Sequence, residues 1–239
     1  MQAISWESPA LILEKIIAYE AVHEIQNWDD LRRRLEPEDR RCFAFFHPSM
    51  PTEPLIFVEV ALTKGVPNSV QSLLSENREA LDETSADTAV FYSISNCQAG
   101  LAGVSFGNSL IKQVARDLSQ DLKNLKTFVT LSPLPGLNAW LAEQEEGKLD
   151  RLAAKYLLDA KDARGRPIDP VARFHLGNGA LVHAVHEGAD TSDRGMAQSS
   201  GVMVNYLYDL SRISQNAIQF SQHYRVAASA AVKALARRA

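Results

Sequence analysis

The stretch TFVTLSPLPGL, residues 127–137, sets Ser132 apart as a candidate for chemistry. Its β-branched and aromatic residues predict a buried strand, and Pro133 and Pro135, which have no amide proton to offer a ladder, predict its end. A hydroxyl at a strand's rim can face a ligand; serine before proline is also an ordinary strand terminator. His175, in FHLGNGA, stands ahead of an Asn-Gly turn after a long connecting segment. An imidazole there can face a cleft and exchange protons, or it can be a satisfied structural residue. A third candidate is SISNCQAGLAGVSFGNSLIKQVARDL, which reads as a strand, a loop with Gly100, Gly103 and Gly107, and a helix. Glycines let backbone approach a ligand, and the first helical N–H groups with the macrodipole favour an anion, so a phosphate group fits. The spacing matches neither a Walker loop nor a dinucleotide fingerprint, and a tight turn with close helix packing is the alternative.

Other polar groups carry weaker signals. His183 and His186, followed by Glu187, superficially resemble metal ligands but lack an HExxH arrangement and lie in a strand-and-turn pattern, so no metal is expected. Asp190, Asp193 and Arg194 in DTSDRG suggest an ion pair, and Tyr206 and Tyr208, on one face of a strand, suggest core tyrosines with satisfied hydroxyls. Cys42 and Cys97 are too few for a disulfide framework, and nothing near Cys97 argues for a lowered pKa.

These groups need a scaffold. SWESPALILEKIIAYEAV predicts a helix capped at Ser8 with Pro9 first, and NWDDLRRRL a second, shorter one. RRCFAFFHPSMPTEPLIFVEVAL gives two antiparallel strands joined by a Pro/Ser-rich loop, and AVFYSISN a strand with Phe91, Ser93 and Ser95 on one face. Leu110, Val114, Leu118 and Leu122 recur every fourth residue, the mark of an amphipathic helix. LNAWLAEQEEGKLDRLAAKYLLDAKD reads as helix, ARGRPIDPVA as a connection, ALVHAVHEG and GVMVNYLYDL as strands, and the end as an Ala-rich helix. With SVQSLL as a further short helix and no internal repeat, the pattern predicts one α/β domain over residues 1–239.

The totals limit what the chain can be. At 239 residues, with 46% hydrophobic and 23% charged, it can bury a substantial core. A net charge of -4 gives no general attraction to nucleic acid or to an anionic membrane. No apolar run approaches the ~20 residues needed to span a bilayer, and MQAISWESPA has neither signal nor transit character. ALARRA offers no peroxisomal or prenylation signal. The expectation is a soluble cytoplasmic protein.

Taken together and in order, SWESPALILEKI, EAVHEIQNWDDLRRRL, FYSIS, GLAGVSFGNSLIKQV, LSPLPG, DPVARFHLGNGA and SSGVMVNYLYDL resemble the catalytic region of the malonyl-CoA decarboxylase family. The resemblance covers nearly the whole chain. It implies a GNAT-like fold: a mixed, mostly antiparallel, splayed sheet with helices on both faces, preceded over residues 1–36 by a helical lead-in. Family members usually carry a helical domain ahead of this region that assists oligomerisation; the numbering starts where that domain would end, so a homo-oligomer is expected only with that domain present. Carried over, the coenzyme A contacts fall on Ala102, Gly103, Val104, Ser105, Phe106, Gly107 and Asn108. The catalytic serine falls on Ser132 and the histidine on His175, with Ser93 and Tyr208 as further polar positions near the reacting group.

The implied reaction converts malonyl-CoA to acetyl-CoA and CO2. The thioester carbonyl takes up the charge left by CO2, so no cofactor beyond the substrate's own coenzyme A is expected. His175, with a pKa near neutrality, would protonate the carbon, with Ser132 hydrogen-bonded to it and to the malonyl group. A GNAT-like acyltransferase and a non-catalytic coenzyme-binding module are the alternative readings.

Overall fold

A computed structural model describes residues 1–101 and 106–239. In chain order the strands are β1 (Gln2–Ile4), β2 (Arg40–His47), β3 (Met50–Thr63), β4 (Thr88–Asn96), β5 (Thr127–Thr130), β6 (Ser132–Pro133), β7 (Leu181–His186) and β8 (Met203–Leu207). The helices are α1 (Ala10–Tyr19), α2 (Trp28–Leu35), α3 (Val70–Leu74), α4 (Phe106–Asp121), α5 (Leu137–Leu141), α6 (Leu149–Asp159), α7 (Pro170–Gly177), α8 (Asp193–Ser199), α9 (Ile213–His223) and α10 (Ala230–Ala236). Two compact units contain them: Met1–Val66 with Leu73–Phe128, and Pro67–Ser72 with Val129–Ala239.

In the first unit β1 to β4 pair with their sequence neighbours, all antiparallel. The β2–β3 connection is shorter than the Pro/Ser-rich loop the sequence suggests, because β3 begins at Met50. Phe46 lies opposite Pro54, which cannot donate to the ladder, and the register shifts on either side of Phe46. A further shift, between β3 and β4, brings Glu59 opposite Ser93 but Val60 opposite Phe91. Cross-strand partners share a face while consecutive residues alternate, so the bulge at Tyr92 moves Phe91 off the face that Ser93 and Ser95 keep. Ile12, Leu13 and Ile16 of α1 and Leu31 and Leu35 of α2 pack with Ala44 and Phe57 in one core. Asn27 caps α2, its side chain accepting from the Asp30 N–H at 2.9 Å. The every-fourth-residue stripe of α4 is buried at Leu110, Val114 and Leu118.

A charged cluster is sealed into this unit. Arg34 donates to Glu59 at 3.2 Å, to Asp30, and to the carbonyls of His23 and Glu24. Glu59 is fully buried, and that burial, reinforced by the Glu20 charge, pushes its carboxyl up to about 8 against the pull of Arg34.

In the second unit β8 pairs with β7 and with β5 and β6, antiparallel to each. β5 and β6 are one strand interrupted, since Val129 opposite Leu207 and Ser132 opposite Val204 keep a single register. The interruption has a side-chain cause. The Tyr206 N–H donates to Thr130 Oγ1 at 3.2 Å, and the Thr130 carbonyl accepts from Asn205 Nδ2 at 2.8 Å, so ladder bonds are diverted onto side chains. Helices α6 and α10 pack on each other and on β7, and α7 packs between β7 and α9. The single helix suggested for 137–162 is two, α5 and α6, with Gly147, a poor helix former, in the gap. The closing helix is likewise divided, α9 ending where Tyr224 turns left-handed at φ 50°. Among the described residues no helix is long and apolar enough to cross a membrane.

Candidate active site

Strand alternation builds the floor of the site. Thr130 and Ser132, two apart, present their hydroxyls on one face, and Ser132 Oγ donates to Thr130 Oγ1 at 2.8 Å. Tyr206 and Tyr208, also two apart, present their rings on one face of the neighbouring strand, as the sequence pattern suggests. Pro133 ends β6 directly after Ser132.

His175 comes from above on α7. The sequence pattern makes DPVA part of a connection, but it starts a helix instead. Asp169 accepts from the Ala172 N–H at 2.8 Å as N-cap, and Pro170 occupies the first position, where its missing N–H costs nothing. Tyr156 Oη donates to the other Asp169 oxygen at 3.2 Å, fixing the cap in turn. Burial holds the Asp169 carboxyl above the usual range against both bonds. The helix ends at Asn178, and Gly179 follows at φ 88°. A Cβ there would lie 2.0 Å from the Ile213 carbonyl oxygen, so both sterics and conformation require glycine. This end fixes the last turn, which carries His175.

The imidazole is held on three sides. Its Nε2 lies 3.2 Å from Ser132 Oγ, its Nδ1 lies 2.7 Å from Tyr208 Oη, and its ring stacks on Tyr206. All four residues are buried, His175 with 3% of its surface exposed. Burial drives the His175 pKa down to about 3. The negative end of α7 favours a charged histidine by only about 0.3–1 kcal/mol, less than one pKa unit, too little to oppose this. His175 is therefore neutral at pH 7, not poised near neutrality as the sequence reading expects. Burial likewise lifts the Tyr208 phenol far above its ordinary range, with the Asn178 side chain pulling the other way.

The structure brings Ser132, His175 and Tyr208 into one hydrogen-bonded chain. Ser93 belongs to the first unit, where its hydroxyl lies 2.7 Å from both Glu20 oxygens and Ser95 joins the same carboxylate. Ala102, Gly103, Val104 and Ser105 lie outside the described residues. Phe106, Gly107 and Asn108 form the first turn of α4, a helix of 16 residues that starts directly behind the glycine loop.

The remaining candidates have other partners. His186 Nε2 bonds Asn205 Oδ1, and Glu187 accepts from the Asp150 N–H. No group of three potential metal ligands occurs among the described residues. Asp190 accepts from Gln71 Nε2 and from the Ser192 N–H, and Asp193 opens α8. Tyr206 Oη departs from the expected satisfied hydroxyl, having no hydrogen-bond partner among the described residues. Cys97 is buried, and burial pushes its thiol up to about 12, in keeping with a packing role. Sequence reasoning misses Thr130, Asn205 and Asp169 as supports. The Asp-Pro pair ahead of FHLG, an N-cap signature, was the available signal for the last.

The architecture of antiparallel strands with packed helices is that of GNAT-like proteins. The fold matches the GphF GNAT-like decarboxylase in complex with isobutyryl-CoA with a TM-score of 0.62 over 87% of this chain and 98% of that one, at 17% identity, a likeness of fold alone. Nearer relatives narrow it. The family model for the malonyl-CoA decarboxylase C-terminal domain matches residues 1–149 and 141–239, and the chain belongs to that family. It is 37% identical to the mitochondrial malonyl-CoA decarboxylase of Anser anser anser, covering 92% of this chain and 54% of that protein. The crystal structure of malonyl-CoA decarboxylase from Agrobacterium vitis superposes with a TM-score of 0.94 at 49% identity, over 98% of this chain and 66% of that one. The chain thus spans between about half and two thirds of the length of these relatives.

Proposed function

We propose that the chain decarboxylates malonyl-CoA to acetyl-CoA and CO2, with Ser132 and His175 supplying the proton. The observation that carries this reading is the buried Tyr208–His175–Ser132 chain, set in a member of the malonyl-CoA decarboxylase family.

Breaking the bond between the carboxylate carbon and the α-carbon leaves its electron pair to delocalise into the thioester carbonyl, giving an enolate; the substrate is its own electron sink. The protein then has to stabilise the enolate oxygen and protonate the carbon. Because His175 is neutral, the proton does not come from an imidazolium. The α-carbon of a thioester is a weaker acid than a hydroxyl, so transfer from Ser132 to the enolate carbon runs downhill. His175 Nε2–H replaces the Ser132 proton as Tyr208 O–H protonates Nδ1; solvent then delivers the one proton consumed per turnover at the Ser132 end, and the protons shift back from Ser132 to Nε2 and from Nδ1 to Tyr208, restoring the phenol and the Nε2–H imidazole.

The glycine loop with the start of α4, residues Ala102 to Asn108, is our choice for the coenzyme pyrophosphate. Glycine backbone and the N-terminal dipole of a 16-residue helix support it. Two buried free cysteines suit a reducing compartment, and we place the chain in the cytoplasm.

Mass spectrometry of the chain incubated with malonyl-CoA tests the proposal. Acetyl-CoA and CO2 in equal amounts without an added acceptor are expected. Acyl transfer to an added amine without CO2, or tight coenzyme binding with no turnover, would overturn it in favour of an acyltransferase or a binding module.

A further inference from the structure

The Ser132 hydroxyl has one proton and two claimants, Thr130 Oγ1 at 2.8 Å and His175 Nε2 at 3.2 Å. Which one receives it decides the histidine tautomer. If Ser132 donates to Nε2, the neutral ring carries its proton on Nδ1 and donates to Tyr208. If Ser132 donates to Thr130, Nε2 must carry the proton to serve Ser132, and Tyr208 must donate to Nδ1.

The distances separate the two arrangements. At 2.7 Å the Tyr208–His175 contact has the short length of a hydroxyl donor, and a phenol gives its proton more readily than it accepts one. The Ser132–Thr130 contact, at 2.8 Å, sits at the usual O–H···O length. The loose contact is the one between Ser132 and Nε2, at the long end of the N–H···O range. Thr130 can take the serine proton because its two lone pairs face Ser132 Oγ–H and the Tyr206 N–H. It is also fully buried, its carbonyl tied to Asn205, so the acceptor is fixed in place.

We propose that Thr130 is a positioning residue: by accepting the Ser132 proton it holds His175 as the Nε2–H tautomer, the one that hands its proton towards Ser132. All hydrogens in the chain then point one way, Tyr208 to His175 to Ser132 to Thr130. The tautomer assignment stands on geometry alone; its effect on turnover rests on the decarboxylation proposed above.

Nitrogen-15 NMR of histidine-labelled protein distinguishes protonated from bare ring nitrogens, and the His175 signals are those lost in His175→Asn. Wild type should show a protonated Nε2 and a bare Nδ1. Thr130→Val keeps the shape but removes the acceptor, so the two assignments should exchange, and Thr130→Ser should restore them. Tyr208→Phe should leave Nε2 protonated, because Thr130 rather than Tyr208 makes the choice. A wild-type Nδ1–H, an unchanged tautomer in Thr130→Val, or a changed one in Tyr208→Phe would each overturn the proposal.

Thr130→Val also strands the Tyr206 N–H; should it not fold, the wild-type and Tyr208→Phe spectra still decide. In turnover, Thr130→Val should lower kcat about tenfold with KM unchanged, less than the roughly 100-fold or greater loss of a proton donor itself, and Thr130→Ser should recover it. Should wild type show no decarboxylation, the spectra test the tautomer independently.

Discussion

The rings of His175 and Tyr206 lie stacked, their centroids 4.5 Å apart and their planes 23° from parallel. Tyr206 thus supports the imidazole through its ring face, while its buried hydroxyl bonds nothing among the described residues. Ring and hydroxyl separate cleanly on substitution. Tyr206→Phe keeps the stack and removes an unsatisfied polar atom, so its stability in urea should fall within about 1 kcal/mol of wild type, on the stabilising side. Tyr206→Ala should lose about 3–5 kcal/mol by opening a cavity under His175. A Tyr206→Phe variant as damaged as Tyr206→Ala would mean that the hydroxyl has a partner after all.

Two buried groups make stability depend on pH in opposite directions. His175 titrates at about 3 in the folded chain, against an ordinary 6.5. Between those values the unfolded chain binds the extra proton, so stability declines as pH falls through that window. Glu59 titrates at about 8 folded, against an ordinary 4.5. There the folded chain holds the extra proton, and stability declines as pH rises from about 4.5 to 8. Thermal unfolding followed from pH 4 to 9 should show His175→Asn flattening the acid side and Glu59→Gln flattening the rise-side loss. An acid slope unchanged in His175→Asn would remove the argument for a neutral imidazole.

Gly179 should tolerate no side chain, whereas Gly165, with a similar φ of 78° but open space around its Cβ position, should tolerate one better. Gly179→Ala drives a methyl into the Ile213 carbonyl and should cost about 3 kcal/mol or more, disturbing the end of α7 and with it His175. Gly165→Ala should cost about 1 kcal/mol, the penalty of a left-handed conformation. Equal losses in denaturant titrations of the two variants would show that conformation, not contact with Ile213, governs position 179.

Local chemistry made much of this legible in the sequence. The prolines after Ser132 end β6 where the residue types require, Asn27 caps α2, and the spacing of Leu110, Val114 and Leu118 marks the buried face of α4. Tyr206 and Tyr208 share a face because alternation is a local rule. What the sequence withheld depends on residues distant along the chain. The bulge at Tyr92 arises in pairing with β3, and the break between β5 and β6 arises from Asn205 and Tyr206 on another strand. The low His175 pKa is hidden from the sequence for the same reason: an imidazole's ordinary value is local knowledge, whereas its burial between α7 and Tyr206 is tertiary. The α7 helix itself was legible in Asp169-Pro170, but the Pro- and Gly-rich stretch before it made the whole segment resemble a loop.

Ser132 and His175 should behave as one unit in turnover. Ser132→Ala removes the group that hands its proton to the carbon, and His175→Asn removes the group that replaces that proton, so each alone stalls the same transfer. Each should lower kcat by about 10²-fold or more. The double variant should then fall far short of the product of the two single effects, since a relay already broken at one link loses little at the next. Coenzyme A affinity, read by calorimetry, should stay near wild type in all three, because the proposed phosphate loop is a different stretch of sequence. That binding, with circular dichroism, also certifies that each variant is folded. Multiplicative losses would show the two residues acting in separate steps. A Ser132→Ala enzyme with wild-type kcat would return Ser132 to the role of a strand terminator and leave His175 to act through Tyr208 alone.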